Sequence, residues 1–112
     1  MGSNKFTYRL SETAESDIDE IIKYIAVDLE NPDAAQSLLD DMIKKIEYLC
    51  EMPNIGHIVD NDLLQRNDVR RILVHSYILY YIIEESEKKI NIVRVSYGRR
   101  DQALIISSIM AS

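Results

Sequence analysis

The first half of the chain alternates briefly and then repeats its apolar residues at helical spacing. Residues 4–10 alternate between apolar and polar side chains, which predicts a β-strand. Ser11 is the expected N-cap of a helix, with Glu12 and Glu15 near the positive end of its dipole. The apolar stripe of this helix, predicted to end near Glu30, consists of Ala14, Ile18, Ile21, Ile22, Ile25 and Leu29.

A second helix is predicted to follow the break at Asn31-Pro32. Proline disfavours helical geometry in the preceding residue and suits the first turn of a new helix, so Asn31 is the expected N-cap. The helix should end near Glu51, and its apolar stripe consists of Ala35, Leu38, Leu39, Met42, Ile43, Ile46 and Leu49. Burying each Leu or Ile contributes about 1.5 to 3 kcal/mol, so both stripes must face a large apolar surface.

β-Branched and aromatic residues dominate the second half of the chain. An irregular loop is expected over residues 52–68, which include two turn-forming residues and a proline. Three strands are predicted at 69–75, 77–85 and 89–97, with a charged turn between the last two. They would supply the flat apolar surface that the two helices require.

The expected fold class is α+β. A helical hairpin should pack on one face of a four-stranded, mostly antiparallel sheet, in the chain order β-α-α-β-β-β. The chain is long enough for one domain over residues 1–112. Residues 102–112 should form a short helical or flexible tail, and residues 1–3 contain a Gly-Ser pair typical of a cloning remnant.

The composition is that of an ordinary globular protein, with 46% hydrophobic and 29% charged residues. No stretch approaches the ~20 apolar residues of a membrane span, and no apolar secretory segment follows the start, so a cytoplasmic location and no membrane partner are expected. The single cysteine, Cys50, cannot form an internal disulfide, which agrees with a reducing compartment.

The net charge of −6 is unevenly distributed. Residues 1–65 contain five Lys or Arg and fourteen Asp or Glu, whereas residues 66–101 contain eight and five, a local net of +3. Because the Debye length is about 8 Å at physiological salt, a basic face could attract an anionic partner despite an acidic far side.

Most motifs of conventional catalysis are missing from the sequence. It has no Gly-rich phosphate loop, HExxH motif, CxxC pair or nucleophile elbow, and His57 and His75 have no third ligand at recognisable spacing. No cofactor and no metal are therefore expected. The carboxylates that lie off the apolar stripes predict a solvated helix face: Asp17, Asp19, Glu20, Asp40, Asp41 and Glu47.

Arginine and tyrosine are concentrated in the predicted sheet, and we expect them to gather where its last strand ends. The residues are Arg70, Arg71, Arg94, Arg99 and Arg100, with Tyr77, Tyr80, Tyr81 and Tyr97. Such side chains hold phosphates, stack on bases or bind carboxylates of an acidic partner. The alternative is that they are ordinary strand residues that keep the sheet soluble. Alternation puts Arg70 and Arg71 on opposite faces, so one should be structural and paired with a helix carboxylate.

The order of several short motifs resembles the RelE/ParE toxins of bacterial type II toxin-antitoxin systems. The motifs are Ala14-x-x-Asp17-Ile18-x-x-Ile21-x-x-Tyr24-Ile25, Asn31-Pro32-x-Ala34-Ala35, Pro53-x-x-Gly56, Val69-Arg70, Tyr77-x-x-x-Tyr81 and Arg94-Val95-x-Tyr97-Gly98-Arg99-Arg100-Asp101. The resemblance implies a growth inhibitor neutralised by a cognate antitoxin, with DNA contacted only through that antitoxin. Members similar to RelE cut mRNA on the ribosome, whereas ParE members poison DNA gyrase.

The residues depart from both branches of that family. In the RelE pattern an arginine follows the tyrosine of the middle strand, but here Ile78 follows Tyr77, and the tail lacks the RelE tyrosine. In the ParE pattern a histidine commonly precedes Gly-Arg-Arg-Asp, and here that residue is Tyr97. Because RNA cleavage needs a base and an acid as well as charge stabilisation, the resemblance favours a ParE-like inhibitor of gyrase. A RelE-like ribosome-dependent endoribonuclease and an inactive antitoxin-binding relic are the alternatives.

The resemblance and the charge pattern together give three sets of candidate site residues. Target binding is assigned to Arg94, Tyr97, Arg99 and Arg100. If the chain were a nuclease, its catalytic candidates would be Arg70, Arg71, Tyr97 and Arg100. Antitoxin binding is assigned to Leu104, Ile105 and Ile109, because this apolar segment follows the last charge in the chain.

Overall fold

A five-stranded mixed sheet organises the molecule in the computed structural model, which describes residues 5–60, 64 and 66–111. The strands are β1 (Thr7–Leu10), β2 (His57–Ile58), β3 (Val69–Val74), β4 (Tyr77–Glu84) and β5 (Lys89–Tyr97). Their order is β1-β5-β4-β3-β2, with β1 parallel to β5 and every other pair antiparallel. Asn4, where the first strand was expected to begin, and residues 1–3 lie outside the described residues.

The sequence prediction of four strands is wrong by one. Within the segment expected to be an irregular loop, β2 pairs with β3, and the Val59 N–H donates to the Val69 carbonyl at 2.8 Å. Two residues are too few to show an alternating pattern, so this strand exists only because β3 offers an edge to it. The α+β class and the mostly antiparallel sheet are confirmed.

Both predicted helix starts are confirmed by their capping bonds. Helix α1 (Glu12–Lys23) begins where the Ser11 hydroxyl accepts from the Ala14 N–H at 3.0 Å, and α2 (Pro32–Glu51) begins where the Asn31 side chain accepts from the Ala34 N–H at 3.1 Å. Between them, Tyr24–Asp28 forms a π-helical turn. Its wider winding turns Tyr24, Val27 and Leu29 outward, each more than half exposed.

Helices cover both faces of the sheet. The hairpin of α1 and α2 packs on one face as predicted, with Met42, Leu49, Leu79, Ile90 and Ile92 at the centre of the core. On the other face α3 (Gln102–Ala111) buries Ile105, Ile106 and Ile109 against Val69, Ile78 and Tyr80. The tail is thus a helix that belongs to the fold. None of these helices, over the residues that the structure describes, is long and apolar enough to cross a membrane.

Candidate functional site

A bulge in β5 shapes the region where the sheet meets α1. Tyr80 lies opposite Arg94 and Tyr81 opposite Ile92, so Val93 is an extra residue in β5. The neighbouring strand β1 ends at Leu10, beside Ile92. Beyond that point β5 presents its edge to α1, and side chains of the helix replace strand partners.

Asp17 of α1 provides the main replacement. Its Oδ2 accepts from the Val95 N–H at 2.9 Å and from Arg94 Nε at 2.8 Å, while Oδ1 accepts from Arg94 Nη2 at 3.0 Å. Arg94 also donates from Nη1 to the Ser108 hydroxyl of α3 at 2.6 Å. This ion pair therefore ties α1, β5 and α3 together.

This ion pair corrects the prediction for Asp17 and gives Arg94 a structural role. Asp17 was expected on a solvated helix face, but it is only 8% exposed, because the shortness of β1 brings the edge of α1 against β5. Arg94 was assigned to target binding, which stays a prediction; its side chain is 15% exposed and its guanidinium is bonded to Asp17 and Ser108 within the fold. It is also the arginine that pairs with a helix carboxylate, a role that the sequence assigned to Arg70 or Arg71.

Arg70 holds the loop before β2. Its Nη1 donates to the Gly56 carbonyl at 2.7 Å and to the Asn54 carbonyl at 3.2 Å. Beside it, the Tyr81 hydroxyl donates to the Pro53 carbonyl at 2.7 Å and accepts from the Gly56 N–H at 3.0 Å. These bonds satisfy backbone polar groups of a loop that lies against the sheet, so Arg70 has a structural role in holding this loop.

Arg71 lies on the opposite face, in a row that crosses the sheet. His57 of β2 is directly opposite Arg71 of β3, which is directly opposite Tyr80 of β4. His57 and Arg71 line a cavity of about 420 Å³ at the sheet edge. Burial raises the pKa of Tyr80, an effect that the charge of Arg71 partly opposes.

A groove of about 630 Å³ lies between α1, the π-helical turn and the end of β5. Its walls include Tyr24 of the π-helical turn, Leu29 directly after that turn, and Arg100. Tyr77 and Tyr97 also line it, with their ring centroids 5.6 Å apart. Asp17 and Glu20 contribute carboxylates on the α1 side. The groove combines aromatic faces and apolar surface with one guanidinium and two carboxylates, a composition suited to binding an apolar partner that also carries charged groups.

The structure separates the five arginines that were expected to gather on one surface. Arg70 and Arg71 lie on opposite faces of β3, Arg94 is bonded to α1 and α3, and Arg99 and Arg100 lie on the turn after β5. Only Arg100 lines the groove together with Tyr97, whereas Arg99 is exposed on the same turn. The expectation of a single arginine cluster is wrong, because neighbouring strand positions alternate between faces.

The apolar residues of α3 contact the sheet of their own chain. Ile105 and Ile109 are each 4% exposed, whereas Leu104 is 69% exposed. The assignment of these three residues to antitoxin binding stays a prediction, and only Leu104 has a side chain that a partner could reach on the folded surface.

Two groove residues, Tyr24 and Leu29, escaped the sequence reasoning. Leu29 was placed in the buried stripe of the first helix, because a regular α-helix would have turned it inward. The π-helical turn rotates the end of the stripe by adding a residue to one turn, and nothing in residues 24–28 signals it. Tyr24 was noted only as part of a family motif.

Comparisons with known proteins agree with this architecture. Residues 8–102 match the family model described as the ParE toxin of the type II toxin-antitoxin system parDE. A chain from a chromosomal ParDE system of P. aeruginosa is similar in structure, with 20% identity, a TM-score of 0.64, and 85% of this chain and 98% of that chain covered. No curated protein sequence matches the chain significantly.

Two further solved structures show the same fold. A chain of the RelBE toxin-antitoxin complex from Mycobacterium tuberculosis has 18% identity and a TM-score of 0.59, covering 83% of this chain and 98% of that one. A mutant of E. coli toxin RelE in the free state has 13% identity and a TM-score of 0.62, and the match covers 96% of this chain and 99% of that one. Since the family model spans most of the sequence and the fold agrees, the chain belongs to the ParE toxin family and is a toxin of a type II toxin-antitoxin system.

Proposed function

We propose that this toxin inhibits DNA gyrase by binding it through the groove that Tyr97 and Arg100 line. The observation that carries the proposal is the composition of this groove, which is lined by three tyrosines, three aliphatic residues and the guanidinium of Arg100, together with Asp17, Glu20 and Ser96. Tyrosine and arginine are the residues that most often dominate binding energy at protein interfaces. The resemblance to ParE toxins supplies gyrase as the expected target.

The groove is poorly equipped for proton transfer near neutral pH. His57 lies at the far side of the sheet and His75 interacts with Asp41 at 2.6 Å, so neither imidazole lines the groove. Burial raises the pKa of Tyr77, which keeps its phenol protonated. Both oxygens of Asp17 are occupied, which leaves Glu20 without an acidic partner for general acid–base catalysis. Binding is the activity that these groups support best.

Inhibition of supercoiling by the purified toxin tests this proposal. We expect Arg100→Ala to weaken inhibition by about 10- to 100-fold, which corresponds to ~1.4–2.8 kcal/mol of binding free energy. Arg9→Ala is the matched control, because Arg9 is exposed on β1, away from the groove. A wild-type toxin that stops translation first, and leaves supercoiling unchanged, would contradict the proposal.

A cognate antitoxin is the second proposed partner. The similar structures include toxin-antitoxin complexes of the ParDE and RelBE types, which supports such a partner for this toxin. Deleting residues 103–112 would uncover the apolar face under α3, so a surface change tests the predicted contact more cleanly. Leu104→Glu should weaken binding of the antitoxin by about tenfold or more, with Ala103→Glu as the exposed neighbour for comparison. Equal affinities would remove Leu104 from the interface.

Ribosome-dependent mRNA cleavage remains a second candidate because of the row on the opposite face. His57 could transfer a proton and Arg71 could stabilise charge on a phosphate, and both line the same cavity. After induction, mapping of mRNA 5′ ends should then reveal new cuts in translated messages that disappear in His57→Gln and Arg71→Gln. Intact messages in growth-arrested cells would exclude this activity.

A further inference from the structure

One side-chain amide connects the turn after β5 to the sheet beneath it. Gln102, the first residue of α3, accepts at Oε1 from the Tyr80 hydroxyl at 2.7 Å and from the Ser96 hydroxyl at 3.3 Å. Its Nε2 donates to the Tyr97 carbonyl at 3.0 Å and to the Arg100 carbonyl at 3.1 Å. The amide thereby uses two acceptor positions and two donor positions, its full capacity.

The two ends of this amide serve different parts of the molecule. The oxygen is bound by two side chains of the sheet, Tyr80 and Ser96, which are 0% and 1% exposed. The nitrogen binds two backbone carbonyls that bracket the turn carrying Gly98, Arg99 and Arg100. The oxygen end therefore anchors α3, and the nitrogen end fixes the shape of the turn.

The two ends of the turn are held by different bonds. At the far end, the Asp101 side chain accepts from the Ala103 N–H at 3.0 Å and its carbonyl accepts from the Ile105 N–H at 3.3 Å, which ties Asp101 to α3. Gly98 N–H donates to the Ser76 carbonyl at 2.8 Å, which fixes the start of the turn to the β3–β4 hairpin. Arg100 N–H donates to the Tyr97 carbonyl at 3.0 Å, a bond internal to the turn. Among the residues that the structure describes, the side-chain bond to the backbone of Arg100 comes from Gln102 Nε2.

The geometry points to Gln102 as a positioning residue that holds the turn so that Tyr97 and Arg100 face the groove. This inference rests on the proposed function, because the groove is the proposed target surface. A group in this place must accept from two hydroxyls and donate to two carbonyls at the same time, and among side chains only the amide of Gln or Asn offers two acceptor and two donor positions. A carboxylate would keep the first task and lose the second.

That difference gives two matched variants. Gln102→Glu keeps an acceptor for Tyr80 and Ser96 but turns a negatively charged oxygen toward the carbonyls of Tyr97 and Arg100. Tyr80→Phe does the opposite, because it removes the shorter of the two bonds to the amide oxygen and leaves both Nε2 bonds to the turn. If Gln102 merely anchored α3, Tyr80→Phe would impair the protein more than Gln102→Glu does.

The readouts are growth inhibition at graded induction, inhibition of supercoiling, and hydrogen exchange of the Arg100 amide. We expect Gln102→Glu to lower both inhibitory activities by at least about tenfold and to speed Arg100 exchange by a similar factor. Tyr80→Phe should shift the unfolding midpoint while Arg100 exchange and inhibition stay close to wild type. If Gln102→Glu fails to fold, Gln102→Met removes both ends of the amide, and its activity and Arg100 exchange are compared with those of the double variant Tyr80→Phe with Ser96→Ala, which removes both bonds to the oxygen and keeps the nitrogen end.

The outcomes separate this inference from the choice of target. If the wild-type toxin arrests growth without affecting supercoiling, gyrase is refuted as the target. Growth arrest and Arg100 exchange in the variants would still test the positioning role of Gln102. Unchanged growth inhibition in Gln102→Glu, or unchanged Arg100 exchange, would overturn the positioning role. The positioning role would also be overturned if Tyr80→Phe lost as much inhibitory activity as Gln102→Glu while its Arg100 amide still exchanged slowly. A wild-type chain that does not inhibit growth would overturn both proposals.

Discussion

Removing the Asp17 carboxylate should be among the most destabilising single changes outside the apolar core. Asp17→Ala deletes three hydrogen bonds, of 2.8, 3.0 and 2.9 Å, from Arg94 Nε, Arg94 Nη2 and the Val95 N–H. Hydrogen bonds to a charged group contribute about 1.5–3 kcal/mol each, and deleting one partner of a buried pair typically costs about 3–5 kcal/mol. In Asp17→Ala, water can reach part of the Arg94 side chain, which is 15% exposed, and Arg94 keeps its hydrogen bond to the Ser108 hydroxyl. We therefore expect a cost of about 3–4 kcal/mol, the lower half of the range for a buried pair.

A loss of this size is large against the ~5–15 kcal/mol that holds an ordinary domain together. Urea unfolding followed by circular dichroism would show it as a lower midpoint at unchanged slope. Asp19→Ala is the matched control, since Asp19 is an exposed carboxylate on the same helix and its loss should cost less than about 0.5 kcal/mol.

A double-mutant cycle distinguishes the ion pair from simple loss of a side chain. Arg94→Met alone leaves the Asp17 carboxylate with only the Val95 N–H, whereas the double variant with Asp17→Ala has no buried charge to compensate. The double variant should therefore be more stable than the two single losses predict, with a coupling of about 2 kcal/mol. Additive losses, or an Asp17→Ala cost below about 1 kcal/mol, would refute the reasoning.

Two further predictions concern the packed tyrosines. Gly56→Ala should cost about 1–3 kcal/mol in thermal or urea unfolding, because a Cβ there would lie 2.5 Å from the Tyr81 hydroxyl and 2.9 Å from the Arg71 carbonyl. Gly98→Ala should cost less, since its nearest contact would be 3.0 Å, and the reverse order would contradict this account. Burial raises the pKa of Tyr77, Tyr80 and Tyr81 above the value of about 10 that tyrosine has in the unfolded chain. The contribution of these phenols to folding stability is therefore complete below about pH 10 and is lost as the pH rises through their pKa values in the folded protein. Urea midpoints measured from pH 8 to 11 should fall at the alkaline end, and Tyr81→Phe should reduce that fall.

The features predicted correctly from the sequence are those set by local chemistry. Ser11 and Asn31 cap their helices with bonds to residues three positions on, so a short window of sequence contains both partners. The ion pair between Asp17 and Arg94 joins residues 77 apart, and β2 forms only because β3 is already in place. Neither leaves a periodic signal, so both escaped the sequence analysis.

The candidate site was predicted in part for the same reason. Tyr97 and Arg100 lie on one turn, and a single short motif of the sequence contains both. Tyr24 and Leu29 reach the groove through a π-helical turn, and Arg71 was separated from it by the alternation of β3. Strand register and helix winding decide these positions, and a single sequence constrains both weakly.

Asp17 and Gln102 both support the groove, but their variants answer different questions. Asp17 lines the groove and also holds α1, β5 and α3 together, so a loss of inhibition in Asp17→Ala would follow from lost stability alone. The carbonyls bound by Gln102 Nε2 are exposed to solvent, and water can replace that donor at small cost in folding free energy. Inhibition lost in Gln102→Glu at nearly native stability would therefore report the shape of the turn, whereas a parallel loss of both would place Gln102 with Asp17 as a structural residue.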